Sequence, residues 1–134
     1  MSIFDAPRFL RNVLFADAAS CLASGALQVL FTAALAELLN LPPALLAGTG
    51  WFLLAYGAFV AFTASWNPLP RGFVPLFIAG NLAWAAGCAA LLAGRWLAPT
   101  TLGTAWILAQ ALTVAVLAIL QWNGLKGGRP AGWT

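Results

Sequence analysis

The sequence predicts an all-α integral membrane protein: a single domain, residues 1–134, folded as a bundle of four transmembrane helices with both termini in the cytoplasm. Of its 134 residues, 63% are hydrophobic and 7% are charged, and the mean hydropathy is +0.92. Soluble domains carry about 25% charged residues, so a water-soluble fold could not cover this apolar surface. The few charges also divide the chain into four long apolar stretches and lie mostly on one side of the resulting topology.

Four uncharged gaps each have room for one spanning helix. The gap between Asp17 and Glu37 contains 19 residues, and the next, up to Arg71, contains 33. The gaps from Arg71 to Arg95 and from Arg95 to Lys126 contain 23 and 30 residues. A spanning helix needs about 20 apolar residues, and proline-containing breaks separate the gaps. The predicted helices are 13–38, 44–64, 73–94 and 100–122.

The segments outside these helices also have predicted roles. Residues 1–12 carry polar and apolar side chains on opposite arcs of a helical wheel. This suits either a segment lying in the membrane interface or a positive flank that only fixes topology. Residues 123–134 are predicted to form a loose cytoplasmic tail. The first helix is longer than the h-region of a signal peptide, about 7–15 residues, so we expect it to be retained.

The distribution of cations predicts the orientation. With four spans, the N-terminus, the loop 65–72 and the C-terminal tail share one side of the membrane. The cations on that side are Arg8, Arg11, Arg71, Lys126 and Arg129. Arg95 alone lies on the other side. Because loops rich in arginine and lysine stay in the cytoplasm, we expect both termini there, in a multi-pass protein of the bacterial inner membrane.

Polar side chains recur at helical spacing within three of the predicted helices. Single serine, cysteine and amide side chains usually hydrogen-bond and pack membrane helices together. The alternative is that the three stripes converge on a small cavity for a lipid, a quinone or another small amphipathic molecule. The residues of this candidate ligand site are Asp17, Ser20, Ser24, Gln28, Asn81, Trp84 and Gln110.

Asp17 is the acidic residue closest to the predicted hydrocarbon region. If the first span begins near Val13, the carboxylate lies inside the membrane, where it can anchor Asn81 or Ser20 or serve a proton-coupled site. If the span begins near Ala18, the carboxylate lies among the headgroups. Asp17 and Asn81 each lie about two turns past the cytoplasmic ends of their helices, so we expect them at similar depth.

The small residues and the cysteines allow predictions of how the helices pack. Gly80 and Gly87 are expected to face protein together with Trp84, because glycine lets helix backbones approach closely. On this interpretation, leucine at position 87 would overpack the bundle. Trp84 is expected to find a hydrogen-bond partner within the bundle. Cys21 and Cys88 are expected to be separate buried side chains and not a disulfide.

The residue types also exclude several function classes. Without histidine, haem, typical histidine–zinc sites and a Ser–His–Asp triad lack a ligand or a base. Motifs for phosphate binding or nucleophilic catalysis are absent from the sequence, and the scattered cations form no nucleic-acid-binding patch. We therefore predict no enzyme activity, no catalytic residue, no metal and no cofactor. The expected partners are membrane lipids, a lipophilic small molecule, and further copies of the chain or a larger membrane complex.

Four short motifs give the chain a resemblance that covers nearly its whole length. They are Asp17-Ala18-Ala19-Ser20, Leu41-Pro42-Pro43, Gly80-Asn81-Leu82-Ala83-Trp84 and Ala109-Gln110-Ala111-Leu112. With these motifs the chain resembles small four-helix inner-membrane proteins of bacteria, which implies an accessory, scaffold or small-ligand-binding role. By position, Asp17 is similar to the acidic residue in the first helix of small multidrug resistance transporters, although that family uses glutamate. This second resemblance implies the alternative function, an oligomeric proton-coupled transporter.

Overall fold

The computed structural model describes residues 8–66, 69–95 and 97–127, and the regular structure of these residues is helical. The α-helices are α1 (Phe9–Leu30), α2 (Thr32–Leu39), α3 (Pro43–Ala64), α4 (Val74–Gly94) and α5 (Thr101–Gly127). A 3-10 turn, Arg71–Phe73, precedes α4. Four segments of the described chain are long and apolar enough to span a membrane: Phe9–Leu30, Pro43–Ala64, Arg71–Gly94 and Thr101–Lys126. The predicted all-α fold with four spanning helices is confirmed.

The long helices form an antiparallel bundle. α1 packs mainly on α3, α4 packs mainly on α5, and α1 also contacts α5. A Cβ atom added at Gly25 of α1 would lie 2.7 Å from the carbonyl oxygen of Gly50 in α3, so these two backbones approach closely. The start of α1 and the end of α5 therefore lie at one end of the bundle, which we call the termini end. The α2–α3 and α4–α5 connections lie at the opposite end.

The first predicted helix is in fact two helices. α1 ends at Leu30, and Phe31, with φ −121° and ψ 33°, leaves helical geometry before α2 begins. Thr32 Oγ1 donates to the carbonyl oxygens of Gln28 and Val29 in the last turn of α1. Threonine hydroxyls that bond to carbonyls of the preceding turn bend helices. The bend was not predicted because no proline or glycine marks it.

Two helix ends extend beyond their predicted positions. α1 begins at Phe9, so residues 9–12 belong to the same continuous helix as the first span. α5 continues to Gly127, so the predicted loose tail begins with helical residues at 123–127. The rest of that tail and residues 1–7 lie outside the described residues.

Two arginines stabilise the helix ends at the termini end. Arg11 donates to the carbonyl oxygens of Ala64 and Trp66, where α3 ends. Arg71 donates to the carbonyl oxygen of Leu125 and, at 3.5 Å, to that of Gly124, near the end of α5. The last carbonyls of a helix have no partner within it, and cations there are favoured by the helix dipole. These contacts therefore satisfy carbonyl groups at the ends of α3 and α5.

At the opposite end, α2 docks directly on the start of α5. Asn40 adopts the left-handed conformation, with φ 53°, and ends α2. The backbone N–H of Thr100 donates to the Leu39 carbonyl at 3.1 Å, and Thr100 Oγ1 donates to the Leu38 carbonyl at 3.0 Å. The same hydroxyl accepts from the N–H of Gly103 at 3.0 Å and so caps α5. A helix C-terminus thus supplies acceptors to the first turn of another helix.

Among the described residues, the hydrophobic core has two parts. One lies at the termini end and consists of Leu10, Leu14, Ala18, Val60, Ala64, Val74 and Phe77. The other lies at the opposite end and consists of Leu39, Leu41, Leu46, Cys88 and Ile107. The polar side chains and cavities considered next lie beside and between these two clusters.

Candidate functional site

A buried polar triad joins three helices near the termini end. Its members are Asp17 in α1, Asn81 in α4 and Gln121 in α5, which are 0%, 2% and 0% exposed. Asp17 Oδ2 accepts from Asn81 Nδ2 at 3.0 Å and from Gln121 Nε2 at 2.7 Å. Asn81 Nδ2 also donates to Gln121 Oε1 at 3.1 Å, and Cys21 Sγ donates to Asp17 Oδ1 at 3.6 Å. The predicted match in depth between Asp17 and Asn81 is confirmed.

The triad lies inside the spanning region. Asp17 is the ninth residue of α1, which places it about 12 Å along a helix that rises about 1.5 Å per residue. Asn81 and Gln121 lie about 10 Å from the ends of their helices on the same side. The carboxylate is fully buried, and its three hydrogen-bond donors are neutral groups. Of its two predicted positions, this geometry corresponds to the one within the span, with Asp17 as an anchor for Asn81.

Gln121 is absent from the predicted site residues, although the sequence contains a signal for it. It follows Gln110 by eleven residues, close to three helical turns, so the two side chains share one face of α5. It lies beside residue 122, the predicted end of the helix. Because α5 continues to Gly127, Gln121 lies more than a turn inside the helix.

A second polar pair joins α4 to α5 near mid-depth. Trp84 Nε1 donates to Gln110 Oε1 at 3.0 Å, which confirms the expected partner for this indole within the bundle. The Trp84 ring stacks on Phe52 of α3, with ring centroids 6.0 Å apart and planes at 8°. The pair lines two cavities, a larger one between α3 and α4 and a smaller one beside α1.

The larger cavity, which is partly open, has a volume of about 570 Å³. Its walls are mainly apolar side chains of α3, α4 and α5, and the lining side chains that carry hydrogen-bonding groups are Gln28, Thr49, Trp84, Trp106 and Gln110. None of the described residues that line it is charged. Beyond the cavity, toward the termini end, α3 and α4 are joined by aromatic contacts, among them that of Tyr56 with Phe77.

Gly87 forms part of the wall of this cavity, which corrects the packing prediction. A Cβ atom at Gly87 would have no atom within 4 Å, whereas one at Gly80 would lie 2.9 Å from the hydroxyl oxygen of Tyr56. Only Gly80 therefore packs closely against protein. The small residues Gly80, Ala83 and Gly87 recur along α4 where it faces the cavity, and their missing side-chain volume helps to create it.

Gln28 has the most constrained polar side chain of the cavity wall. It is 1% exposed, and its Nε2 donates to the Leu46 carbonyl at 2.9 Å and to Thr49 Oγ1 at 2.8 Å. Thr49 uses its own hydroxyl hydrogen to donate to the Leu45 carbonyl at 2.6 Å. Both partners of Gln28 must therefore act as acceptors, which fixes the orientation of the amide. No described residue donates to the remaining oxygen, Oε1.

The seven predicted ligand-site residues do not form one site. Asp17 and Asn81 are hydrogen-bonded to each other within the triad, and they line neither of the two cavities. Ser20 and Ser24 line the smaller cavity, of about 180 Å³, while Gln28 lines the larger one. Trp84 and Gln110 line both. The residues are spread over too great a length of the bundle to meet at one point.

Sulfur and carboxylate groups are dispersed in the described residues. Cys21 and Cys88 are free and buried, the first beside the triad and the second beside the larger cavity. No group of three or more histidine, cysteine, aspartate or glutamate side chains that could hold a metal occurs in the part of the chain that the structure describes. Comparison with protein-family models, curated proteins and solved structures finds no match to the chain.

Proposed function

We propose that this chain is a non-enzymatic, multi-pass protein of the bacterial inner membrane that binds a lipophilic small molecule in the larger cavity. The proposal is based on the size and the lining of this cavity. Its volume of about 570 Å³ lies within the range of small-molecule sites, about 300–1,000 Å³. Mainly apolar walls with a few placed polar groups are typical of such sites. Here these groups belong to Gln28, Thr49, Trp84, Trp106 and Gln110.

The position of the cavity favours a ligand that comes from the lipid phase. The lining residues belong mostly to segments that can span a membrane. Phe52, part of the wall, is 55% exposed on the surface that would face lipid. A molecule dissolved in the bilayer could reach this cavity without crossing the headgroup layer, whereas a charged solute would have to leave water without meeting a compensating charge.

The other proposed roles have less support from the geometry. A purely structural role explains the triad and the helix caps but does not explain the presence of the larger cavity. A proton-coupled transporter depends on Asp17, whose three neutral donors favour an anchoring role. In the proposed membrane state, lipids, further copies of the chain or a larger membrane complex cover the exposed apolar faces.

We expect Gly87→Leu to displace the ligand without weakening the bundle. The new side chain would enter the cavity, since nothing lies within 4 Å of its Cβ. Removing glycine from a helix interior is worth up to about 1 kcal/mol in helix propensity, so the thermal stability in detergent should be equal or higher. Native mass spectrometry of protein purified from membranes should show a bound small molecule on the wild type and not on this variant.

The matched control is Ala93→Leu, which adds a larger side chain to the exposed face of the same helix outside the cavity. It should retain the bound molecule. Equal ligand content in Gly87→Leu and the wild type, or an empty wild-type protein, would contradict the proposed binding function.

We also expect both termini to be cytoplasmic. Arg8, Arg11, Arg71 and Lys126 lie at the termini end, and this bias holds such an end in the cytoplasm. A fluorescent protein fused after Thr134 should therefore be bright in cells, and alkaline phosphatase fused there should be inactive. Phosphatase fused after Arg95 should be active. The reverse pattern at the two sites would invert the proposed orientation.

A further inference from the structure

The larger cavity extends over about the depth of one membrane leaflet. On α4 its lining runs from Gly80 to Leu91, eleven residues, or about 16 Å of helix. The hydrocarbon core of a bilayer is about 30 Å thick, so this length is about half of it. Leu91 lies about 5 Å from the end of α4 at the opposite end of the bundle. The cavity therefore lies mainly in the leaflet on that side and extends about 6 Å past Trp84, the middle residue of α4.

The two ends of the cavity differ in chemistry. Gln28 lies near the opposite end, because it bonds to Leu46, only three residues after the start of α3. Its Oε1 has no donor among the described residues, although the side chain is 1% exposed and lines the cavity. This oxygen is not one of the fully enclosed unpaired polar atoms of the described residues, so it retains access to the cavity. An acceptor without a donor in such apolar surroundings is costly, and this one lies close to where lipid headgroups begin. From there, Gly87, Ala83 and Gly80 line the cavity toward the midplane.

We infer that the larger cavity holds an uncharged, single-chain amphiphile of that leaflet, whose polar head donates a hydrogen bond to Gln28 Oε1 and whose chain lies along Gly87, Ala83 and Gly80. The inference rests on the proposed function and specifies its ligand class. The head is a donor because the fixed amide orientation presents an acceptor. It is uncharged because no described lining residue could pair with a phosphate, sulfate or ammonium group.

Three probes with the same chain test this on the intact protein. Oleyl alcohol has a neutral head that donates, oleyl methyl ether has a neutral head that cannot donate, and oleyl sulfate has a permanent charge. Their binding to the delipidated wild type is titrated by native mass spectrometry. The alcohol should bind about tenfold more tightly than the ether, as expected for one buried hydrogen bond. The sulfate should bind at least about tenfold more weakly than the alcohol.

Two variants assign these differences to the cavity. Gly87→Leu should weaken the binding of oleyl alcohol to the level of nonspecific association. Gln28→Met, which keeps the side-chain length but removes Oε1, should abolish the difference between alcohol and ether. If Gln28→Met does not fold, the comparison of alcohol and ether on the wild type still tests the hydrogen bond.

The outcomes separate this inference from the proposed function. Equal binding of alcohol and ether would refute the hydrogen bond to Gln28, and tight binding of the sulfate would refute the neutral head. In both cases a lipophilic site would remain, provided that Gly87→Leu removes the binding. If the three probes bind the wild type no better than they bind Gly87→Leu, the proposed function itself fails.

Discussion

Asp17→Leu is expected to destabilise the bundle strongly, whereas Asp17→Asn should leave it close to the wild type. Leucine removes the acceptor of Gln121 Nε2 and one of the two acceptors of Asn81 Nδ2. A buried donor left without a partner costs about 1–3 kcal/mol. Asparagine keeps one carbonyl oxygen, whose two lone pairs can accept from both side chains. Thermal unfolding in detergent should therefore rank the asparagine variant near the wild type and the leucine variant well below it.

The same two variants distinguish an anchor from a transport site. Asparagine preserves the hydrogen bonds but cannot titrate, so it would abolish proton-driven uptake into liposomes if Asp17 carried the proton. Under the anchoring role, ligand binding by the asparagine variant should equal that of the wild type from mildly acidic to mildly alkaline pH. Equal stability of the leucine and asparagine variants would contradict the anchoring role, since that role depends on the acceptor oxygen.

Gly103→Ala should weaken the junction between α2 and α5. A Cβ atom at this position would lie 2.3 Å from the carbonyl oxygen of Leu39, a backbone atom that cannot rotate away. That oxygen also accepts the N–H of Thr100, so moving it breaks the contact between the two helices. Overpacking of this kind costs about 1–3 kcal/mol, occasionally more. The loss should appear as a lower melting temperature in detergent.

Gly48→Ala is the matched control for this experiment. It makes the same change within α3, at an exposed position where a Cβ atom would have nothing within 4 Å. There, alanine should stabilise the helix by about 0.5–1 kcal/mol. Equal unfolding temperatures of Gly103→Ala and Gly48→Ala would contradict the close contact between Gly103 of α5 and the Leu39 carbonyl of α2.

The spanning helices could be predicted because they depend on local properties of the chain. Charge spacing located four spans, and proline near the start of a helix, as at Pro43, marked a boundary that the structure reproduces closely. The meeting of Asp17 and Asn81 could also be predicted, because equal distance from the same membrane face is a matter of counting residues. These inferences need only helix geometry and the thickness of a bilayer.

The features that were not predicted depend on three-dimensional neighbours. Glycine in a membrane helix usually indicates close helix packing. Gly87 instead lines a cavity, because α3 and α4 are separated beside it. The bend at Phe31 lies where the Thr32 hydroxyl donates to carbonyl oxygens of α1. The presence of a threonine alone does not predict which acceptor its hydroxyl will use. The role of Gln121 required knowing that α5 extends past residue 122.

The arginine caps couple the insertion of this protein to its assembly. Arg11 and Arg71 belong to the charge asymmetry from which the orientation is predicted. Arg11 in α1 also binds the end of α3, and Arg71 in the turn before α4 binds the end of α5. In each arginine a single terminal guanidinium nitrogen donates to both carbonyls. Exchanging either for lysine would preserve the positive charge but would replace the planar guanidinium by a flexible ammonium group, which does not hold this geometry. A variant in which these cations are moved to invert the orientation would therefore also lose the hydrogen bonds that Arg11 and Arg71 make between helices. Misfolding of such a variant would then have two causes, the inverted orientation and the lost contacts.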